Sequence, residues 1–598
     1  MFSRKTLAAI LAVVLFGAGT GFAQTLEDNW NDFLHYTKIG RLDLAKGYAQ
    51  AVLAGEPDPV QLLALAEGNR PGYVLLLKVI ETPHDPELAE LGRKLLAVIE
   101  QGRFIRRTDP KIIVEEIKRL SGTQRGRLAA VRRLKNAGEY AVMYMLDAIA
   151  DTARKDELPN IVWALPQVGR DAIRPLAAAL QTDNVAVKSE IIIALGKIRY
   201  PQALAYLKYV LEKDDLPQLR GLAEEGIKQI DPAALQLSAA ELFYQLAENY
   251  YYHSESLQPA EDANFANIWF WDPNGRRLIR EKVDKSYFNE LMVMRACEWA
   301  LKADVEFGRA IGLWLAAFFK AESTGVDMPE YFGSAHADAT VYATTAGPEY
   351  LHQSLARAVK DKNAYIALGV VEALAANAGE KSLLYRVGID QPLLQALSFD
   401  DRAVRYSAAI AIAAAGPKED FPEAKLVVEN LAGAISRADS NSDANAATAW
   451  SQELADSYTV RSAMVLLKLA QTRNPVIDLS RAKETLINAT KDKREQIQIL
   501  AGQILAHLDS PDAQRAIAVM ALAEDNSMTV RVAAFESLAN SAKLNANLLD
   551  DAKVDAIYSL VSSLQTDPQL RSAAATAYGS LNLPSRKVKN LILDQAKS

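Results

Sequence analysis

Asp401-Arg-Ala-Val404-Arg405-Tyr-Ser-Ala408-Ala409-Ile-Ala-Ile412-Ala-Ala-Ala-Gly416-Pro417 decides the architecture. The stretch opens on an acidic turn and continues with a hydrophobic residue followed by arginine. Small residues, a second hydrophobic position and a closing glycine complete it. Asp401 can cap the free N–H groups of a helix start. Val404, Ala408 and Ile412 recur every four residues, so they share one helical face. The alanines let a neighbouring helix come close.

The same order recurs along the chain. Copies are Asp183…Val187-Lys188…Ala194-Leu195-Gly196, Asp215…Leu219-Arg220…Ala223 and Asp456…Val460-Arg461-Ser-Ala463. Thr529-Val530-Arg531-Val-Ala533-Ala534 and Asp567…Leu570-Arg571-Ser-Ala573-Ala574 follow, while Gln496-Ile497 begins a copy without the base. The key hydrophobic positions 187 and 219 lie 32 apart, and 460, 497, 530 and 570 are separated by 37, 33 and 40. A helical pair occupies such a period and buries one stripe on each neighbouring pair. The spacing predicts that each aspartate caps its helix and that each Arg or Lys pairs with an acid of a neighbouring repeat.

These residues resemble HEAT repeats, strongly at 400–417, less at 183–198, 456–470, 525–539 and 567–581, and weakly at Arg127–Gly138. The resemblance covers about two-thirds of the chain after residue 23. It implies an α-solenoid that binds partners along its surface, and it brings no catalytic residues. The expected fold is all-α: a HEAT-like solenoid of helical hairpins with a small aromatic β-hairpin inserted mid-chain.

Two segments depart from that pattern. Tyr36, Gly40, Ala45 and Pro57 resemble the aromatic, turn, small and proline positions of a tetratricopeptide repeat, with Phe33 where a small residue is expected. Ala300–Asp304 resembles the end of such a repeat. Residues 239–323 hold about a third of all aromatic residues. Within them, aromatics flank Asp272-Pro-Asn-Gly275, which predicts a hairpin over 267–279 with Gly275 at positive φ and helices near 286–303 and 305–322. The resulting division is a leader at 1–23, a tetratricopeptide-like hairpin at 24–60 and a helical solenoid at 61–235. An aromatic junction at 236–345, HEAT repeats at 346–436, a polar loop at 437–451 and a C-terminal solenoid at 452–598 complete it.

The leader has Arg4 and Lys5, an apolar run from Leu7 to Phe16, and small residues at Gly21 and Ala23. That is the form of a secretory signal cleaved before Gln24, and its core is shorter than the ~20 residues that span a bilayer. The expected location is periplasmic or secreted, with no transmembrane segment in the mature chain.

Composition narrows the chemistry. The 598 residues are 50% hydrophobic and 24% charged, with a net charge of -7, so no global field marks a nucleic-acid binder. One cysteine, Cys297, rules out an internal disulfide and cysteine-based metal clusters. The six histidines are scattered, with no two at i, i+3 or i, i+4. Asp439, Asn441, Asp443 and Asn445 imitate the start of a calcium loop, but Ala444 and Trp450 stand where glycine and a bidentate glutamate are needed. No phosphate loop, nucleophile elbow or zinc-protease motif occurs. No cofactor, metal or catalytic residue is expected.

Two candidate surfaces remain. Residues 101–135 carry eleven Lys or Arg against Asp109, Glu115 and Glu116. Arg125, Arg127, Arg132 and Arg133 are the arginines most expected to meet a partner. Trp269 and Trp271 share a strand face and, if exposed, could stack on a sugar or peptide. The expected function is an exported, non-catalytic protein-interaction scaffold with unknown protein partners. The alternative is a binder of cell-wall or surface glycan, or of another anionic surface, through the aromatic junction and the basic stretch 103–135. An enzyme reading has one hook, that HEAT-like repeats also occur in bilin lyases, whose attachment residues cannot be placed here.

Overall fold

The computed structural model describes residues 25–81, 85–259, 264–333, 336–377, 379–436 and 450–596. The expected leader at 1–23 and the calcium-like positions 439–445 lie outside them, as does all of the polar loop except 450–451. Among the described residues there are 31 α-helices and one two-stranded sheet. None of these helices is long and apolar enough to cross a membrane.

Local chemistry sets the helix starts. Asp401 accepts the N–H groups of Ala403 at 2.8 Å and Val404 at 3.3 Å, and the helix Arg402–Ala415 ends at Gly416 with φ of +64°. Asp567 likewise caps Pro568–Ser580. Three other copies correct the expectation of an aspartate cap. Asn184, not Asp183, caps Val185–Ile198, because the chain enters that helix one residue later. Pro217–Ile230 starts without a side-chain cap, and Asp456 lies inside Gln452–Thr472, whose cap is Ser451.

The motif arginines also depart from expectation. Arg405 Nη1 donates to the carbonyls of Phe399 and Asp400, and Arg127 Nε donates to that of Leu120. Arg531 and Arg571 likewise bond carbonyls upstream, at Ala521 and at Leu564 and Thr566. These guanidiniums satisfy carbonyls at the end of the preceding helix and in the turn after it, which a helix leaves unpaired. Arg461 meets the expected acid, donating to both oxygens of Glu372 at 3.1 and 3.0 Å.

The described chain gathers into two compact units. The first comprises residues 25–200 and Trp269–Ile279; the second comprises 201–259, Asn264–Ile268 and 280–596. In the second unit one row of helices runs Ala364–Asn377, Arg402–Ala415, Gln452–Thr472, Glu495–Leu505, Met528–Asn545 and Pro568–Ser580, each packed on the next. A parallel row, Ala424–Ser436, Lys483–Ala489, Pro511–Leu522 and Asp551–Ser562, packs in the same consecutive way. Two such rows are the layers of an α-solenoid. Arg402–Ala415 is buried nearly all round because it touches helices on three sides.

In the first unit, Trp30, Phe33, Ala45, Leu62, Leu76 and Leu95 anchor one core over its first five helices. Helices Leu26–Lys38 and Leu42–Ala54 form a hairpin turning at Gly40, with φ of +74°, and Tyr36 stacks on Tyr48.

The aromatic hairpin pairs β1, Phe265–Asp272, with β2, Arg277–Asp284, so it is longer than 267–279. Helices Phe288–Ala303 and Arg309–Glu322 follow it. Positive φ falls on Arg276 at +49°, not on Gly275. A Cβ at 275 would stand 2.4 Å from Asp272 Oδ2, so the Asp272 carboxylate would have to swing aside to admit one.

Candidate functional site

The basic stretch spans three helices: Pro86–Thr108, Pro110–Arg119 and Gln124–Ala137. Asp109 accepts the N–H of Lys111 and, with Pro110, makes a sharp new helix start. Thr123 caps the third helix. These breaks fold the stretch around a groove of about 1050 Å³, all within the first unit.

Six cations line the groove: Arg103, Arg106, Arg107, Lys111, Arg119 and Arg133. Four carboxylates face them: Glu67, Glu100, Glu115 and Glu116. Arg106 grips Glu67 with two bonds of 2.8 and 2.7 Å, and this pairing holds the Glu67 carboxyl below its ordinary range. Arg103 bonds Glu100 at 2.9 Å and lies over the Tyr73 ring. Arg107 lies over Phe104 and Tyr140. Buried Glu116 accepts from Arg119 at 2.9 Å and Arg133 at 2.6 Å through the same oxygen, Oε1. It fixes two half-exposed guanidiniums on the groove wall, and Lys111 is exposed and has no ion-pair partner among the described residues. The wall is thus a set of pre-positioned arginines with an excess of positive charge.

Of the four arginines expected to bind, Arg133 alone lines this groove. Arg127 is spent on the Leu120 carbonyl, while Arg125 and Arg132 are exposed away from the lining. Arg103, Arg106 and Arg107 were findable, because the i, i+3, i+4 spacing puts them on one helical face.

The tryptophan pair is not a free face. Trp269 is 3% exposed, and its Nε1 donates to Glu139 Oε2 at 2.8 Å, an oxygen that Arg174 also bonds. Trp271 is half-buried. Trp269 therefore offers no ring to a sugar, while Trp271 keeps part of its surface exposed. Cys297 is fully buried, and burial pushes its thiol well above the ordinary value, so it is held as the unreactive acid. Among the described residues no group of three or more His, Cys, Asp or Glu could hold a metal ion.

Residues 145–228 match the model of the HEAT-repeat family. That span contains the copies at Asp183–Gly196 and Asp215–Ala223. No protein of curated function matches the chain. Among solved structures, an engineered protein aligns at 15% identity over 93% of this chain and 100% of its own, with a TM-score of 0.23. An importin beta structure aligns at 13% identity over 93% and 71%, with a TM-score of 0.27. A structure described by a phosphorylation switch in the cadherin and beta-catenin interaction aligns at 11% over 92% and 98%, with a TM-score of 0.22. Scores this low carry no functional argument.

Proposed function

We propose that the chain is a non-catalytic protein-interaction scaffold whose first unit docks acidic partners in the basic groove. The observation that carries this reading is the groove itself, where six cations face four carboxylates and Lys111 has no ion-pair partner among the described residues. Such a surface attracts acid and gives up affinity as salt rises. The stacked helical hairpins and the HEAT-repeat match at 145–228 support a scaffold, since repeat arrays present extended binding surfaces. The signal-like leader supports export, so the partners are proposed to be proteins of the periplasm or cell exterior.

A crosslinking pull-down in the native host tests the reading. Defined proteins should be recovered by the wild type, lost with Arg103→Glu/Lys111→Glu, and weakened at high salt. Equal capture at low and high salt, or retention on purified wall material alone, overturns it. N-terminal sequencing of the recovered protein tests export separately: Gln24 is the expected first residue, and an intact Met1 in the membrane fraction refutes cleavage.

A further inference from the structure

A second groove, of about 780 Å³, opens in the second unit. At its base Arg357 donates to the hydroxyls of Tyr252 at 3.0 Å and Tyr244 at 3.2 Å, and to Glu248 Oε1. Its guanidinium also lies over the Tyr251 and Tyr252 rings. Glu248 is therefore neutralised, and Arg309 is occupied by Glu241 and the Tyr244 ring. The other lining carboxylate, Asp390, accepts from Gln395. Two cations on the lining, Lys360 and Arg386, are exposed and have no ion-pair partner among the described residues. What the groove presents is two unpaired cations against the single Asp390 carboxylate, a net positive charge set between tyrosines, with Tyr252 48% and Tyr385 39% exposed.

The rim adds an independent observation. Val387 and Asp390 exchange backbone hydrogen bonds of 2.9 and 3.1 Å, closing a turn through Gly388 at φ of +63°. Gln391 braces it from behind by donating to the Leu384 carbonyl, and Gln395 does so through Asp390. At the tip of this braced turn Ile389 is 92% exposed. An isoleucine held out in water by a pre-formed turn contributes nothing to the core. A partner that covered it would bury apolar surface with little ordering cost.

We propose that this groove docks an acidic segment of a partner protein that carries an apolar side chain beside its carboxylates. The carboxylates meet Lys360 and Arg386, and the apolar side chain packs between Tyr385 and Ile389. Tyrosine and arginine are the residues on which interface energy concentrates. An acidic glycan could satisfy the two charges and stack on the tyrosines, but it offers no apolar surface to Ile389. The inference rests on the scaffold reading but not on the first groove.

The test uses the full chain and a positional-scanning library of N-acetylated octapeptides, read by fluorescence anisotropy. Retained peptides should combine two or more Asp or Glu with a Leu, Ile or Phe. Lys360→Glu/Arg386→Glu should weaken the retained peptides about tenfold or more, whereas Ile389→Ser should weaken them without changing their salt dependence. Lys543→Glu, at an exposed lysine outside both grooves, should leave them unchanged. All four are exposed positions, and circular dichroism verifies folding. Retention of basic peptides or of none, affinity indifferent to the double reversal, or tighter binding of polygalacturonate than of any peptide overturns the inference. If partners are still captured through the first groove when the library result fails, the scaffold reading stands and this one falls. If acidic peptides are retained here while no partner depends on Arg103 and Lys111, the first groove falls instead.

Discussion

Arg571 donates its Nη2 to the carbonyl of Thr566 at 2.7 Å, five residues upstream, and to that of Leu564 at 3.1 Å. Arg405 makes the same kind of contact with Phe399 and Asp400, and Arg127 with Leu120. In these hairpins the recurring base is therefore a clasp, tying the second helix to carbonyls left by the first or by the turn after it.

Arg571→Ala should cost about 1–3 kcal/mol, up to the range for hydrogen bonds to charged groups, with partial replacement by water at this half-buried site. Arg571→Lys should recover only part of the loss, since one ammonium cannot reproduce the planar fork. Urea unfolding of the three proteins checks this. Equal stability of wild type and alanine variant would show the clasp to be idle.

How much of this was legible depends on whether the determinants are contiguous. Asp401 to Gly416 holds cap, apolar stripe and stop in one helix, so the hairpin repeat can be read from it directly. The first groove takes walls from Glu67, Arg103, Lys111 and Arg133, which different helices bring together. Composition flagged the stretch, but only facing distinguishes Arg133 from its neighbour Arg132. The second groove has still less signal. Tyr252, Lys360 and Arg386 are far apart in sequence, and nothing in the residues around Ile389 says that a turn will hold it in solvent.

Close helix approach makes a sharp prediction at Gly102. A Cβ there would lie 2.1 Å from the Pro59 carbonyl oxygen and 3.0 Å from Leu63 Cβ, so Pro86–Thr108 could not stay seated on Pro59–Gly68. The backbone oxygen cannot swing aside as a side chain would. Gly102→Ala should therefore destabilise the first unit by about 1–3 kcal/mol or more, despite alanine's better helix propensity. A variant as stable as wild type in thermal unfolding would contradict the packing.

Acid sensitivity should trace to His352. Burial pushes its imidazole down from 6.5 to about 4, with Nε2 only 3.1 Å from the Ser382 carbonyl to compensate. Between those values the unfolded chain binds a proton that the folded chain refuses. This contribution to stability is thus fully present above about pH 6.5 and is lost as pH falls toward 4, by on the order of 3 kcal/mol. His352→Leu removes the titration, so its stability relative to wild type should improve as pH drops from 7.5 to 4.5. A gap that stays constant across that range would refute the assignment.

The tryptophan hairpin supplies the last test. Trp269 fills a buried site and gives its N–H to Glu139, whereas Trp271 on the same strand is half-buried and spends less surface on the fold. Trp269→Ala should leave a cavity and cost about 3–5 kcal/mol. Trp269→Phe keeps much of the volume but removes the N–H that Glu139 Oε2 accepts, and should cost about 1–3 kcal/mol. Trp271→Ala should fall below Trp269→Ala, in proportion to its smaller burial. Thermal or urea unfolding orders the three variants. If Trp269→Ala were as stable as wild type and only sugar or peptide binding were lost, the indole would be an exposed platform after all. The packed hairpin would then be wrong.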